Sequence, residues 1–556
     1  MTQTPTLILH NARIRTMDPD QPRASAIALA ENRVLAVGPD VEITALATPA
    51  TEVIDARGAT LLPGFNDAHV HIFVGAVGLS HLSLLGVTGL DRLTTLVRDY
   101  AKAHPDEALL CAEFTDYAIL GDTPVTRHLL DQILPDRPFL MTAYDNHTAW
   151  ANTAALKAAG ILEGRALPLG NEIVMGSDGL ATGELREHEA MTPVRVMSAS
   201  GYREGLGMLT GGEPDHVTPE QRASDRATIL QGLHYCAANG ITSIQNMDGN
   251  LYTLELLEEI EQSEGLPVRV RVPFHCKNTT PMAEFTTRAA AWRDRFTGDR
   301  LTSDFVKMFI DGVAESGTAV MLGGYGDAPD HNGDPLFTQP ALNAAVAEAD
   351  RLGFQVAIHA IGDGGIRMVL DAYEAARAVN GPRDSRHRIE HIELLHPDDL
   401  PRFAALGVAA SMQPLHVPGN RLMGAELYLR KIGRERWSQG FRARSLKDSG
   451  VTMIYSTDWP VVPLSPTLTI RESICRTPWA PDLPPENLTL DETLEAYTRG
   501  GAWAEFKEDR KGMLKPGYLA DLVLLDADLD ATAPEAVDQV APRLTVCDGR
   551  ITFRAA

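Results

Sequence analysis

The amino-acid sequence predicts an α/β protein. Its expected architecture is a (β/α)8 TIM barrel, with a small composite β-sandwich domain built from both termini and a large insertion after the first barrel strand. Three observations lead there. Eight short apolar runs alternate with helix-like stretches through the middle of the chain. Polar residues gather at the C-terminal ends of those runs, where barrels keep their active sites, and this favours a barrel over the similar alternation of a doubly wound sheet. The two ends of the chain read as short strands and turns, like each other and unlike the middle.

The ends come first. TLILHNARIRTM and AIALAENRVLAVG open the chain, and GYLADLVLLDAD and LTVCDGRITF close it, with Asn32 and Asp548-Gly549 as hairpin-turn chemistry. Neither end has enough strands for a stable sheet alone, so residues 1–60 plus 505–556 are expected to form one domain. The barrel is expected over 61–504. Its strands read as PGFNDAHVHI, GITSIQNM, VRVRVP, FVKMFIDG, QVAIHAIG, RHRIEHI, GVAASMQP and VTMIYSTD. Between the first and second, residues 75–235 are too many for a simple connection. An insertion there lies over the active-site face, as a lid or substrate wall.

The strand ends carry the chemistry. His69 and His71 are two residues apart on a strand, so both imidazoles face one way and can reach one metal ion. Taken alone the pair is weak, because a chain with 17 histidines meets H-x-H by chance. The later strand ends add Lys307, His359, His391 and Asp458. Four imidazoles, a carboxylate and an amine suit Zn, with Mn, Fe, Ni or Co as alternatives. A protonated lysine repels a cation. A buried one loses its proton more easily and can capture carbon dioxide as a carbamate, a bridging carboxylate that allows two metals in place of one. Pairing of Lys307 with Asp311 is the plainer alternative.

Composition bounds the partners. Lys and Arg number 50 against 74 Asp and Glu, a net charge of −24. That excess argues against nucleic acid or an anionic membrane, since both need a basic surface, and leaves a small-molecule substrate. The opening residues do not read as a basic, apolar secretory leader, so none is expected, and no apolar run is long enough to span a membrane. Five cysteines without a C-x-x-C pattern read as reduced thiols, so the expected location is cytoplasmic. A homodimer would be ordinary for such a protein.

The stretches LLPGFNDAHVHI, DNHTAWANTAALKAAGI, GITSIQNMDG, FVKMFIDGV, AIHAIGDGGIRMVLDAYE, RHRIEHIELL, MIYSTDWPV and KGMLKPGYLADLVLLD run in order over nearly the whole chain. Together they resemble the amidohydrolase superfamily, and within it the YtcJ-like branch that includes N-substituted formamide deformylases. The resemblance implies metal ligands His69 and His71 on the first barrel strand, carbamylated Lys307 on the fourth, His359 on the fifth, His391 on the sixth and Asp458 on the eighth. Two features depart from the family: Thr153 stands where a serine is usual, and the glycine-rich run is altered to LPLGNEIVMGSDGLATGELRE.

The expected activity is hydrolysis of a non-peptide C–N bond, amide-type, N-formyl or cyclic. The attacking group would be a metal-bound hydroxide, with Asp458 as proton shuttle. His147 and Trp150 in the insertion are candidates for substrate contact, Asp67 and Asp363 for orienting the imidazoles, and Trp459 for walling the site. Three alternatives stand beside this reading. An esterase would use the same attack. A heterocycle deaminase would carry a glutamate soon after His359, which HAIGDGG lacks. A non-catalytic scaffold would have no reason to keep the ligand set.

Overall fold

The computed structural model describes residues 4–144, 146–168 and 170–556; Asp145 of the DNH stretch lies outside the described residues. Eight parallel strands form the centre: Phe65–Val70, Ile241–Asn246, Arg269–Arg271 (resuming as Phe274–His275), Phe305–Phe309, Gln355–Ala360, Arg388–His391, Ala409–Met412 and Met453–Tyr455. Most of their residues are buried on both faces, as strands enclosed by helices require. The register runs from neighbour to neighbour, for example His359 opposite Glu390 and Ala360 opposite His391.

The ring closes between the first and last strands. The Asp458 amide donates to the His69 carbonyl at 2.8 Å, and the His71 amide donates to the Trp459 carbonyl at 2.8 Å. Asp67 reinforces this seam. Its carboxylate accepts from the Thr457 amide, from the Thr457 hydroxyl at 2.8 Å and from Tyr497 at 2.9 Å. The backbone that carries three expected site residues is therefore the backbone that closes the barrel. His391 and Asp458 hold positive φ angles of 76° and 64° without being glycine. Such conformations cost about 1–3 kcal/mol each and persist where surrounding structure enforces them.

Strands from the two ends of the chain pair directly. Leu522–Leu525 runs antiparallel to Thr60–Pro63, in a six-stranded sheet that also holds Arg13–Arg15, Arg23–Ala24, Pro542–Cys547 and Arg550–Arg554. A four-stranded sheet comes from the N-terminal region, and Leu9, Ile27 and Leu29 from it share one apolar cluster with Leu61, Leu522 and Leu544. After the first barrel strand, a further six-stranded sheet spans Leu82–Arg186 with its own apolar clusters.

The helix Pro219–Ala238 belongs with the barrel, although it overlaps the end of the expected insertion. Its Thr218/Gln221 capping box starts it cleanly. It buries Ile229, Leu233 and Cys236 in the same cluster as the barrel strands, and at Gly232 it passes so close to Ala76 that a Cβ there would lie 2.8 Å from the alanine methyl. Among the described residues no helix is long and apolar enough to cross a membrane. All five cysteines are free, four of them buried.

Candidate metal centre

The C-terminal ends of the barrel strands form the floor of a cavity of about 620 Å3, roofed by the insertion. His69, His71, His359, His391 and Asp458 all line it. Asp458 lies between two imidazole pairs. Its Oδ1 is 3.4 Å from His69 Nε2 and 3.1 Å from His71 Nε2; its Oδ2 is 3.6 Å from His416 Nε2 and 3.8 Å from His391 Nδ1. Two groups of three donors, His69–His71–Asp458 and His391–His416–Asp458, each keep their atoms within 4.8 Å of one another.

The imidazoles are oriented from behind. His69 Nδ1 lies 2.6 Å from Glu390 Oε2, and His71 Nδ1 lies 2.6 Å from Asp248 Oδ1. These carboxylates leave both Nε2 atoms facing Asp458. Gln413 meets His391 Nδ1 at 2.9 Å and donates to Ser456 at 2.8 Å. Arg388, fully buried, lies 2.8 Å from Glu390 and extends the chain of polar contacts into the barrel.

Electrostatics follows from this packing. Burial, with the charge of Lys307 second, pushes His69 and His359 well below the usual imidazole value, and burial with His359 does the same to His391. Neutral imidazoles have a lone pair to give. His71 is the exception. Burial would lower it, but Asp248 and Asp458 outweigh that and raise it to about 10. The site therefore draws positive charge to the position between His71 and Asp458. Asp458 Oδ1 is buried without a hydrogen-bond partner among the described residues. Neutral nitrogens, an unpartnered carboxylate oxygen and a demand for positive charge fit a divalent cation.

Lys307 lies fully buried beneath this floor and is not among the residues lining the cavity. Its Nζ has no hydrogen-bond partner among the described residues and stands 4.7 Å from the centre of the Phe309 ring. Burial lowers its pKa to about 8 against the opposing pull of Glu390 and Asp458. Asp311, the alternative partner from sequence, accepts instead from the amides of Val320, Ile361 and Gly362.

The remaining candidates fall in different places. His359 lines the cavity but belongs to neither donor group; its Nε2 lies 3.2 Å from the Gly312 carbonyl and its ring stacks on Phe309. His147 lines the cavity, with Nδ1 2.8 Å from Glu187. Asp67 serves the barrel seam rather than an imidazole. Asp363 accepts from the amides of Leu322 and Gly364 and starts its own helix. Trp150 is buried in the insertion against Tyr117, away from the cavity wall. Trp459 packs on the helix Ile72–Gly78, so closely that a Cβ at Gly75 would lie 2.6 Å from its ring. It lines a smaller neighbouring cavity instead.

Sequence reasoning left Glu390, Asp248 and Gln413 out of the site, and took His416 only as a residue that could face the pocket, not as a donor. The signal for the carboxylates was present: Glu390 precedes His391 on one strand, and Asp248 closely follows another. His416 follows the seventh strand on a short helical turn, Pro414–His416, and carries no periodic mark.

Comparison with known proteins bears on the family and the fold. A model of the amidohydrolase family (Amidohydro_3) matches residues 52–553. Protein LONG AFTER FAR-RED 3 of Arabidopsis thaliana is 29% identical over 94% of this chain and 87% of its own length. The putative amidohydrolase YtcJ of Bacillus subtilis is 26% identical, covering 98% of this chain and 99% of its own. The N-substituted formamide deformylase of Arthrobacter pascens is also 26% identical, covering 100% and 99%. Among solved structures, an uncharacterized metal-dependent hydrolase from Pyrococcus horikoshii superposes with a TM-score of 0.71 at 22% identity, over 96% of this chain and 99% of its own. The family match spans most of the sequence, and the chain belongs to the amidohydrolase family.

Proposed function

We propose that the chain is a metal-dependent hydrolase of a non-peptide C–N bond in a small amide, an N-formyl amine or a cyclic amide. One observation carries this reading: Asp458 is shared between two imidazole pairs on the floor of a substrate-sized cavity. The name of the Arthrobacter relative supports the N-formyl choice. One or two divalent metals, zinc first and Mn, Fe, Ni or Co after it, would supply Lewis acidity to the scissile carbonyl and to the attacking water alike.

His69, His71, His391 and Asp458 would hold the metal, with His416 completing the second donor group and His359 beside it. Glu390 and Asp248, each 2.6 Å from an Nδ1 atom, would hold the first two imidazoles turned with Nε2 forward. The Lys307 amine, brought toward neutrality by burial, adds to carbon dioxide and loses a proton, giving a carbamate oxygen as a further donor. Asp458 takes the proton from the attacking water and returns it to the leaving nitrogen as the C–N bond breaks. The products are a carboxylate and an amine. His147, which lines the cavity and is steadied by Glu187, would hydrogen-bond the substrate's carbonyl oxygen as negative charge builds there. Asp363, the acid nearest to His359 in HAIGDGG, is committed to its helix start, which counts against a ring-protonating deaminase.

The test is a substrate screen. Purified protein of measured zinc or manganese content is offered N-formyl amines, lactams and matched esters. Amine release from N-formyl compounds, absent after metal removal, is the expected result. Turnover confined to esters, or none on any amide by folded, fully loaded protein, overturns the reading.

A further inference from the structure

Beside the main cavity, the insertion and the barrel enclose a second one of about 300 Å3. Val74, Tyr144, Asn146, Arg195 and Pro460 line both, so the two adjoin. Phe114, Tyr202, Tyr235 and Trp459 give the smaller cavity aromatic walls, and its charged residues include Glu113, Glu204 and Arg195. Arg195 is satisfied by hydroxyls, donating to Tyr202 at 2.7 Å and to Thr142 at 3.2 Å. Glu113 is met by His81 Nδ1 at 2.9 Å.

Glu204 differs from these. It is 6% exposed, and its Oε2 is buried with no hydrogen-bond partner among the described residues. Burial pushes its carboxyl upward, against Ser200, His81 and Arg195, which favour the charged form. A buried carboxylate oxygen without a donor is costly, and a donor brought by a ligand removes that cost. Among the described lining residues Glu113 has His81 and Arg195 has its hydroxyls, so Glu204 is the carboxylate left with an oxygen in need of a donor, and aromatic faces attract cations.

We propose that this second cavity binds an organic ammonium group, which donates to Glu204 against the aromatic walls. Resting on the amide-hydrolase reading, this names the substrate class: an amide whose distal end carries a cationic amine, with the scissile bond in the main cavity and the ammonium in the smaller one.

The test is calorimetry on the full chain with cyclohexylammonium, cyclohexanol and benzenesulfonate, the last being a poor metal ligand. Cyclohexylammonium is expected to bind one site about tenfold more tightly than either of the others, with or without bound metal. Glu204→Gln, and Ser83→Lys at the exposed rim of the cavity, are each expected to weaken it about tenfold. Preferred binding of the sulfonate assigns the cavity to an anion through Arg195 and overturns the proposal. Equal binding of all three probes, or undiminished ammonium binding in the folded variants, overturns it as well. If Glu204→Gln does not fold, the three probes on the unaltered chain and on Ser83→Lys still decide. Binding is read without turnover, so the two readings fail separately. An inactive protein that binds cyclohexylammonium sinks only the hydrolase, and an amide hydrolase that ignores it sinks only the ammonium site.

Discussion

Asp458 is the residue on which the chemistry turns, because each of its oxygens faces a different imidazole pair. Asp458→Asn keeps the shape and removes the basic oxygen. We expect turnover to fall about 10²–10⁴-fold, measured at matched metal content and with an unchanged melting temperature. Near-wild-type turnover in that variant would refute the proton shuttle. Lys307 offers a second test at this scale. Its Nζ is buried without a hydrogen-bond partner among the described residues, and carbamate formation predicts that reconstitution with metal depends on bicarbonate. Metal stoichiometry, measured with and without bicarbonate, reads this directly; identical values argue for a plain buried amine. The sequence alone offered His69, His71, Lys307, His359, His391 and Asp458 as donors because each closes an apolar strand; the fold gathers His69, His71, His391 and Asp458 into the two donor groups. It took His416 no further than a residue that could face the pocket, since a short helical turn leaves no repeat that marks which way a side chain faces.

At the scale of elements, the site depends on how the barrel is closed. The helix Ile72–Gly78 lies against Trp459, next to Asp458, and Gly75 makes the approach possible. Gly75→Ala should displace the indole, cost about 1–3 kcal/mol in denaturant unfolding, and lower turnover through Asp458. Full activity in that variant would show that the seam tolerates the shift.

The segment after the helix Gly501–Ala504 is tied down by Glu505, which accepts from Asn66 at 2.7 Å and pairs with Lys511 at 2.8 Å. Burial would raise its pKa, but Lys511 and then Lys507 outweigh that and hold it at about 2. A folded-state value below the unfolded one contributes stability above the unfolded pKa, and that stability is lost as pH falls toward 2. Glu505→Gln should therefore cost on the order of 3 kcal/mol near neutrality. The gap to the unaltered chain should close between pH 4.5 and 2. A gap that does not change with pH removes the charge from the account.

For the whole molecule, the metal is expected to act as a folding ligand. The donor set joins the first, sixth and eighth barrel strands to the turn after the seventh, so a cation bound there favours the closed ring over the unfolded chain. At free metal 100-fold above its dissociation constant this amounts to about 2.7 kcal/mol. Chelation should lower the melting temperature, and Zn or Mn should restore it. A melting curve indifferent to chelator would show that the barrel closes without it.

The sequence by itself determined the alternation of strand and helix and the placing of polar residues at strand ends, because both are written in local periodicity. Through its ordered motifs it also determined the family. Tertiary structure decided the rest. Which carboxylates stand behind the imidazoles depends on strands far apart in the chain: Glu390 serves His69, and Asp248 serves His71. Asp67 and Asp363, nearer in sequence, are spent on the barrel seam and a helix start. Burial is the deciding physical fact. Once the ring closes, every enclosed polar atom must find a partner, and closure rather than sequence distance selects which partner is within reach.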